Sequence, residues 1–310
     1  INTLFIMKSV LISGITGFIG KNLKPYLSGK YNIQGTSRKV SDDYISNDSI
    51  DVNSFNENFA FIHLAGKAHD LKNEVGADVY YEVNRDLTIK MFDLFLQSDC
   101  KIFIYLSSVK AVADTIEGVL TEDTKATPTT PYGKSKLQAE EYLLNKKLTD
   151  GKSIYILRPC MVHGPENKGN LNLLYKFVTL GIPYPLGKFE NQRSFASIEN
   201  LCFIINACLE QTIKSGVYNV SDDETISTKE LVTLIAETRH KKVRIYNVNK
   251  KIVRSVAKVC GFFKLPMDTH RLDKMVENFV VSNEKIRKEV KGKLPLKTKE
   301  GLVKTIKSFQ

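Results

Sequence analysis

Gly14, Gly17 and Gly20 stand at three-residue intervals, directly after the apolar run Ser9-Val10-Leu11-Ile12-Ser13 and at the head of an amphipathic stretch. A chain turning there from strand to helix exposes amide N–H groups at the positive end of the helix, and glycines let an anionic group approach the backbone. The chemistry expected is pyrophosphate binding, with Thr16, Phe18 and Ile19 completing the loop. A nucleotide-hydrolase phosphate loop is excluded, because the glycine it needs five residues before Gly20 is Ile15. The next apolar run ends in Thr36-Ser37-Arg38-Lys39. A free ribose 2′-hydroxyl would require Asp or Glu here, whereas a guanidinium beside two hydroxyls suits a 2′-phosphate, so NADP(H) is favoured over NAD(H). Asp51 and Val52 offer a further ribose or adenine contact.

Tyr132 and Lys136 place a phenol and an ammonium one helical turn apart. A positive charge near a phenol lowers its pKa from about 10, which fits it to exchange a proton with a carbonyl or alcohol oxygen. The spacing alone says little, because Tyr26/Lys30, Tyr142/Lys146, Tyr184/Lys188 and Tyr246/Lys250 share it and read as surface pairs. Placement singles out Tyr132. It follows Pro131 at a helix start and comes 24 residues after Ser108, which closes an apolar strand. Ligands bind beyond the carboxyl ends of parallel strands, where Ser108 and Tyr132 can meet.

The elements that must position these groups alternate. Strands are expected near Ser9–Ser13, Tyr31–Thr36, Phe59–Leu64, Lys101–Ser107 and Ile154–Leu157, with helices over Ile19–Leu27, Tyr80–Gln97 and Tyr132–Leu148 between them. Continuous apolar strands separated by helices predict an α/β fold with a doubly wound parallel sheet. After Pro159 the rhythm breaks into Gly/Pro-rich loops, and from Lys229 onward the chain reads as helical and basic. We therefore expect a dinucleotide-binding domain over 1–165, with a return segment near 195–212, and a smaller, mostly helical substrate domain over 166–310.

Composition narrows the function classes. The chain has 310 residues, 42% apolar and 25% charged, which suits a globular protein with a substantial core. No run approaches the length of a membrane span, and the opening residues do not read as a secretory signal. Residues 1–6, ahead of Met7, are expected to lie outside the native fold. Five cysteines without a CxxC pair favour a reducing cytoplasm and exclude structural zinc. His63, His69, His163, His240 and His270 have no metal-ligand spacing, so no metal is expected, and His63 reads as a packed strand-end residue. The net charge of +11 is concentrated late, since residues 239–310 carry 20 Lys/Arg against 6 Asp/Glu. That block reads as a solvated face, with an anionic substrate or an acidic membrane surface as the sharper readings. No nucleic-acid-binding module accompanies it.

Taken in order, these motifs carry a resemblance. They are Gly14/Gly17/Gly20, His63-Leu-Ala-Gly66, Val83-Asn84, Leu106-Ser-Ser108, Tyr132/Lys136, Leu157-Arg-Pro159, Gly164-Pro165, Asn170-Leu171, Arg193-Ser-Phe195 and Gly216-Val-Tyr-Asn219. The chain resembles the extended short-chain dehydrogenase/reductases, specifically the NAD-dependent epimerase/dehydratase family acting on nucleotide sugars. Ser108-Val-Lys110, Pro183-Tyr-Pro-Leu-Gly187 and Asn191-Gln-Arg-Ser194 are similar to its surface-polysaccharide branch.

The resemblance implies a Rossmann-like fold, a UDP-linked sugar substrate, a homodimer, and a catalytic set of Ser108, Tyr132 and Lys136. By the same resemblance Leu64, Ala65, Gly66 and Asn84 line the cofactor, while Asn170, Leu171 and Arg193 hold the substrate. Arg158 is open between structural and functional roles, and His163 stands where the resemblance leads us to expect Tyr. A dehydratase of the family would carry an acidic pair where this chain has Val109-Lys110, which demotes dehydration. Reduction of the C4 ketone of a UDP-4-keto-6-deoxy-N-acetylhexosamine is favoured, with a UDP-hexose or UDP-N-acetylhexosamine 4-epimerase retaining NAD as the alternative. A non-catalytic NADP(H) or nucleotide-sugar sensor is the rival of another class.

Overall fold

The computed structural model describes residues 7–38, 44–68, 76–167, 170–262 and 269–309. Residues 1–6, Lys39 and His69 lie outside the described residues. In chain order the elements of the first half are β1 (Ser9–Ser13), α1 (Phe18–Leu27), β2 (Asn32–Ser37), β3 (Ile45–Ser46), α2 (Val52–Asn56), β4 (Ala60–His63), α3 (Ala77–Tyr81), α4 (Leu87–Gln97), β5 (Ile102–Leu106), β6 (Val119–Leu120), α5 (Pro131–Asn145) and β7 (Ser153–Pro159). The second half holds β8 (Met161–His163), α6 (Asn170–Thr179), β9 (Phe195–Ser197), α7 (Ile198–Leu209), β10 (Gly216–Val220), α8 (Thr228–Thr238), α9 (Lys250–Phe262), α10 (Thr269–Val276), β11 (Val280–Val281), α11 (Glu284–Glu289) and α12 (Thr298–Ser308).

Seven strands form one sheet in the order β10-β7-β5-β4-β1-β2-β3. Every pairing in it is parallel. Alternation along the strands sorts their side chains onto two faces. Val10 and Ile12 pack with Leu23, Leu201 and Ile205 on the side of α1 and α7. Leu11, Phe61 and Phe103 pack with Phe55, Met91, Phe92 and Leu143 on the side of α2, α4 and α5. The order reverses between β1 and β4, so a crevice opens beyond their carboxyl ends, where ligands bind in such sheets. Register brings Thr36, Ser13, His63 and Tyr105 level at that rim.

Two features go beyond the expected outline. The helix expected over Tyr80–Gln97 starts at Ala77 and contains a π-helical turn, Glu82–Asp86, between α3 and α4. The late chain also returns further than the 195–212 segment. β10 extends the sheet beside β7, and Phe279, Val281 and Ile286 join the first apolar core. A separate core gathers Leu171, Tyr175, Tyr184, Leu231, Ile235, Leu272, Leu302 and Ile306.

Candidate active site

The glycine loop is held by short backbone bonds, the Gly14 amide donating to the Thr36 carbonyl (3.1 Å) and the Gly17 amide to the Gly14 carbonyl (3.0 Å). Gly14 has φ +69°, and a Cβ there would come within 2.7 Å of the Ala65 nitrogen. A Cβ at Gly20 would collide with the Ile15 carbonyl, so α1 packs directly on the loop. Thr16 and Gly17 are exposed, and the first-turn amides of Phe18, Ile19 and Gly20 have no acceptor earlier in their helix. At the far end of the crevice Ser37 is buried and Arg38 is exposed. Asp51 caps α2, accepting from the Ser54 amide (2.9 Å) and hydroxyl (2.8 Å), bonds that hold its carboxyl below the usual range. Val52 beside it is half-buried. A backbone cradle at a helix start fits the pyrophosphate of a dinucleotide. Of the two hydroxyls expected beside Arg38, that of Thr36 is instead fully buried and donates to Asn47 Oδ1 (2.5 Å), because the end of β2 packs against the segment before α2.

Beneath the crevice runs a buried chain of side-chain hydrogen bonds that spacing did not reveal. The Ala65 amide donates to Ser13 Oγ (3.2 Å), which lies 2.7 Å from His63 Nδ1. His63 Nε2 meets Thr88 Oγ1 at 3.0 Å, and that hydroxyl donates to the Asn84 carbonyl (2.8 Å). Because the Thr88 proton is committed to Asn84, the imidazole proton sits on Nε2 and Ser13 donates to Nδ1. His63 is fully buried, and burial, aided by the charge of Lys136, pushes its pKa down to about 3. It is a neutral strut, in keeping with a packed strand-end residue.

Asn84 lies in the π-helical turn and is fully buried. Its side chain accepts from the Lys67 amide (2.8 Å), donates to the Lys67 carbonyl (3.1 Å) and donates to Ser135 Oγ (3.1 Å). It thereby ties the loop Leu64-Ala65-Gly66 to α5, and its oxygen and the Lys136 ammonium both lie beside Gly66.

Tyr132 is positioned by the start of α5. Thr130 caps the helix through the Gly133 amide (3.2 Å), and Asp114 accepts from the amides and hydroxyls of Thr129 and Thr130. A Cβ at Gly133 would collide with the Lys110 carbonyl, so this glycine lets α5 approach the loop that carries Ser108. Ser108 Oγ accepts the Lys110 amide (3.2 Å) and is hydrogen-bonded to the Tyr132 phenol. Tyr80 stands edge-on to Tyr132, ring centroids 6.3 Å apart.

Lys136 departs from the expectation that it would acidify the phenol. Its ammonium donates to the Leu106 carbonyl (2.9 Å) and lies 4.8 Å from the centre of the Tyr105 ring. Burial lowers its pKa to about 8, opposed by Glu140. Burial raises the Tyr132 phenol, opposed by the Ser108 bond. The helical spacing is real, but Lys136 points down to the end of β5.

The other tyrosine/lysine pairs divide. Lys30 and Lys146 lie over the rings of Tyr26 and Tyr142 at 5.6 and 4.6 Å. Tyr184, expected at the surface, is instead buried in the second core.

On the substrate side Arg193 is partly spoken for. It donates to the Lys274 carbonyl (2.9 Å) and lies 3.9 Å from the Glu277 carboxylate, and burial holds its pKa below the ordinary value. Lys110 donates to the Asp114 carbonyl (2.6 Å) and sits 4.2 Å over the Phe279 ring. Burial lowers its pKa too, with Glu277, Asp114, Arg193 and Lys274 all near enough to act on it. A mixed cluster of three cations, Lys110, Arg193 and Lys274, and two carboxylates, Asp114 and Glu277, therefore begins two residues from Ser108. Lys110 belongs to it, although the sequence placed that residue only in the Ser108-Val-Lys110 motif and as the absence of an acid, with no substrate role. The Leu171 side chain, expected at the substrate, lies in the second core and leaves only its backbone for that role. Asn170 begins α6.

Arg158 is structural. Its guanidinium donates to both Glu140 oxygens, and Ser107 donates to the same buried carboxylate. His163 is also enclosed, with Nδ1 at 2.9 Å from Thr305 Oγ1 and Nε2 at 3.5 Å from Asp222. Among the described residues no three His, Cys, Asp or Glu side chains gather as a metal site.

Comparison with known proteins settles the lineage. Residues 10–221 match the NAD dependent epimerase/dehydratase family. The chain belongs to that family. It is 34% identical over 250 residues to a UDP-glucose 4-epimerase of Vibrio cholerae, covering 74% of this chain and 75% of the relative. A second relative, 29% identical over 246 residues (76% and 73% of the two chains), is the N-acetyl-alpha-D-glucosaminyl-diphospho-ditrans,octacis-undecaprenol 4-epimerase of Escherichia coli O157:H7. Among solved structures, MoeE5 in complex with UDP-glucose and NAD superposes with a TM-score of 0.75 at 20% identity, covering 97% and 98% of the chains. This epimerase/dehydratase-family chain is thus an NAD(P)-dependent enzyme of the nucleotide-sugar group, and its Rossmann-like fold is that of its relatives. Among the described residues no helix is long and apolar enough to cross a membrane.

Proposed function

We propose that this chain uses NADPH to reduce the C4 ketone of a UDP-linked 4-keto-6-deoxy-N-acetylhexosamine. The observation that carries the choice is the end of β2, where exposed Arg38 follows Ser37 and, among the described residues, none of Thr36, Ser37 and Arg38 is the carboxylate that would select a free ribose. A reductase spends one NADPH per turnover, so an exchangeable NADPH selected at Arg38 suits this reaction better than a retained NAD. When bound, the reduced nicotinamide supplies the hydride.

The chain's own groups do the rest. Tyr132 gives its proton to the C4 oxygen as hydride arrives at carbon, and Ser108, already bonded to the phenol, holds the same oxygen. Lys136, beside Gly66 and Asn84, is placed for the nicotinamide ribose. Lys110 and Arg193 supply positive charge for the diphosphate. Val109 is buried in the core and Lys110 covers Phe279, so the acidic pair of a dehydratase has no counterpart at these two positions. A homodimer through α4 and α5, in a reducing cytoplasm, belongs to the same reading.

Similarity to two 4-epimerases favours a second reading, epimerisation at C4 with retained NAD. The experiment is to denature the purified protein with acid and chromatograph the released nucleotide, then follow NADPH oxidation with a UDP-4-keto sugar. An empty site, turnover with NADPH, and a KM for NADPH raised by Arg38→Ala with little change for NADH support the reductase. Stoichiometric NAD overturns it in favour of the epimerase, and binding without turnover points to a sensor.

A further inference from the structure

Ile252, Val256 and Val259 are 57%, 56% and 57% exposed, an unusual state for aliphatic residues within one helix. At about 100° per residue they fall within about 60° of one another on α9. The helix packs inward by the adjoining edge, with Ala257 buried and Val253 and Cys260 half-buried. One apolar arc of about 160° therefore runs around the helix, its Val253, Ala257 and Cys260 edge spent on the fold and its Ile252, Val256 and Val259 edge turned to solvent. Beside the outer stripe lie Lys251 and Lys258, both exposed. α9 contains four Lys/Arg and no acidic residue, and residues 239–262 contain eight Lys/Arg without an Asp or Glu. At its N-terminal end a cleft is lined by Lys188, Lys229, Lys250 and Lys251, with Glu190 the one acid among its lining residues.

We propose that α9 docks the protein on an anionic membrane surface. A helix with an exposed apolar stripe beside a basic face lies in the plane of the headgroups. Its aliphatic side chains enter the acyl boundary and its cations meet lipid phosphates. Charge complementarity selects this occupant. A second copy of the same helix would bring eight cations together with no acid on either helix, and a neutral protein groove would leave the flanking lysines unpaired. The anchor is peripheral, and it stands independently of which C4 reaction the active site performs.

The test is co-sedimentation with vesicles of phosphatidylcholine alone and of phosphatidylcholine with phosphatidylglycerol. The full chain is expected to bind the anionic vesicles at low salt and to be released at high salt, with little binding to the neutral ones. The double variant Val256→Glu/Val259→Glu should lower partition by about tenfold or more, with melting temperature and dinucleotide affinity retained. Equal binding of variant and parent overturns the proposal, as does failure of the parent to bind. An oligomer that the same variant dissociates, seen by sedimentation velocity, would make the stripe a subunit contact and also overturn it. Should the double variant fail to fold, Lys251→Glu/Lys258→Glu removes the charge term alone and must still weaken anionic binding.

Discussion

Acidification from pH 7.5 to 5.0 is expected to cost this protein about 2 kcal/mol of stability through His63 alone. The folded ring has a pKa of about 3, from burial and the nearby Lys136 ammonium, against an ordinary value of 6.5. Between those two values the unfolded chain binds the proton and the folded one does not, so stability is full above about pH 6.5 and is lost as pH falls toward 3. At pH 5 the 1.5 units below the unfolded value, at about 1.36 kcal/mol each, give the figure of about 2 kcal/mol. His63→Gln keeps a donor and an acceptor but has no proton to gain. The chain contains no tryptophan, so urea unfolding is best followed by far-UV circular dichroism. Carboxylates contribute the same pH dependence to parent and variant, and the loss between pH 7.5 and 5.0 should be about 2 kcal/mol larger in the parent. Equal losses would refute the reasoning, as would a His63 ring resonance titrating near pH 6.5. The consequence for the site is direct, because this imidazole links the glycine loop through Ser13 to Asn84 through Thr88.

Two further outcomes concern the catalytic groups. Tyr132→Phe removes the proton that the C4 oxygen needs, and turnover should fall by about 10²–10⁴-fold while dinucleotide affinity, measured by titration calorimetry, is unchanged. Gly133→Ala drives a methyl into the Lys110 carbonyl and should cost about 1–3 kcal/mol by urea unfolding. Turnover should drop with it, because the Ser108–Tyr132 contact opens; undiminished turnover would show that the close approach is not needed.

What the sequence determined by itself was local. The glycine triplet, the hydroxyl–guanidinium end of β2, the Pro131 helix start and the Tyr132/Lys136 spacing are all read within a few residues. Turn geometry and helical period act over that same range. The parallel sheet followed too, because strands buried on both faces must be continuously apolar.

Tertiary structure decided where the long side chains point and what lies between distant segments. Lys136 turns to the Leu106 carbonyl instead of the phenol, since a four-carbon stem reaches the nearest buried acceptor and helical spacing says nothing of it. His63 became a neutral strut only because Ser13 and Thr88, 50 and 25 residues away in the chain, arrive on either side. Arg193 is drawn toward Lys274 and Glu277 by the same late segment that places β11 against β6. Lys and Arg counts marked residues 239–310 as basic, yet only packing shows that α9 turns one edge of its apolar arc inward and leaves the other to solvent. Local pattern sets which residues can share a face, and the free energy of burying that face depends on partners that arrive from elsewhere in the chain.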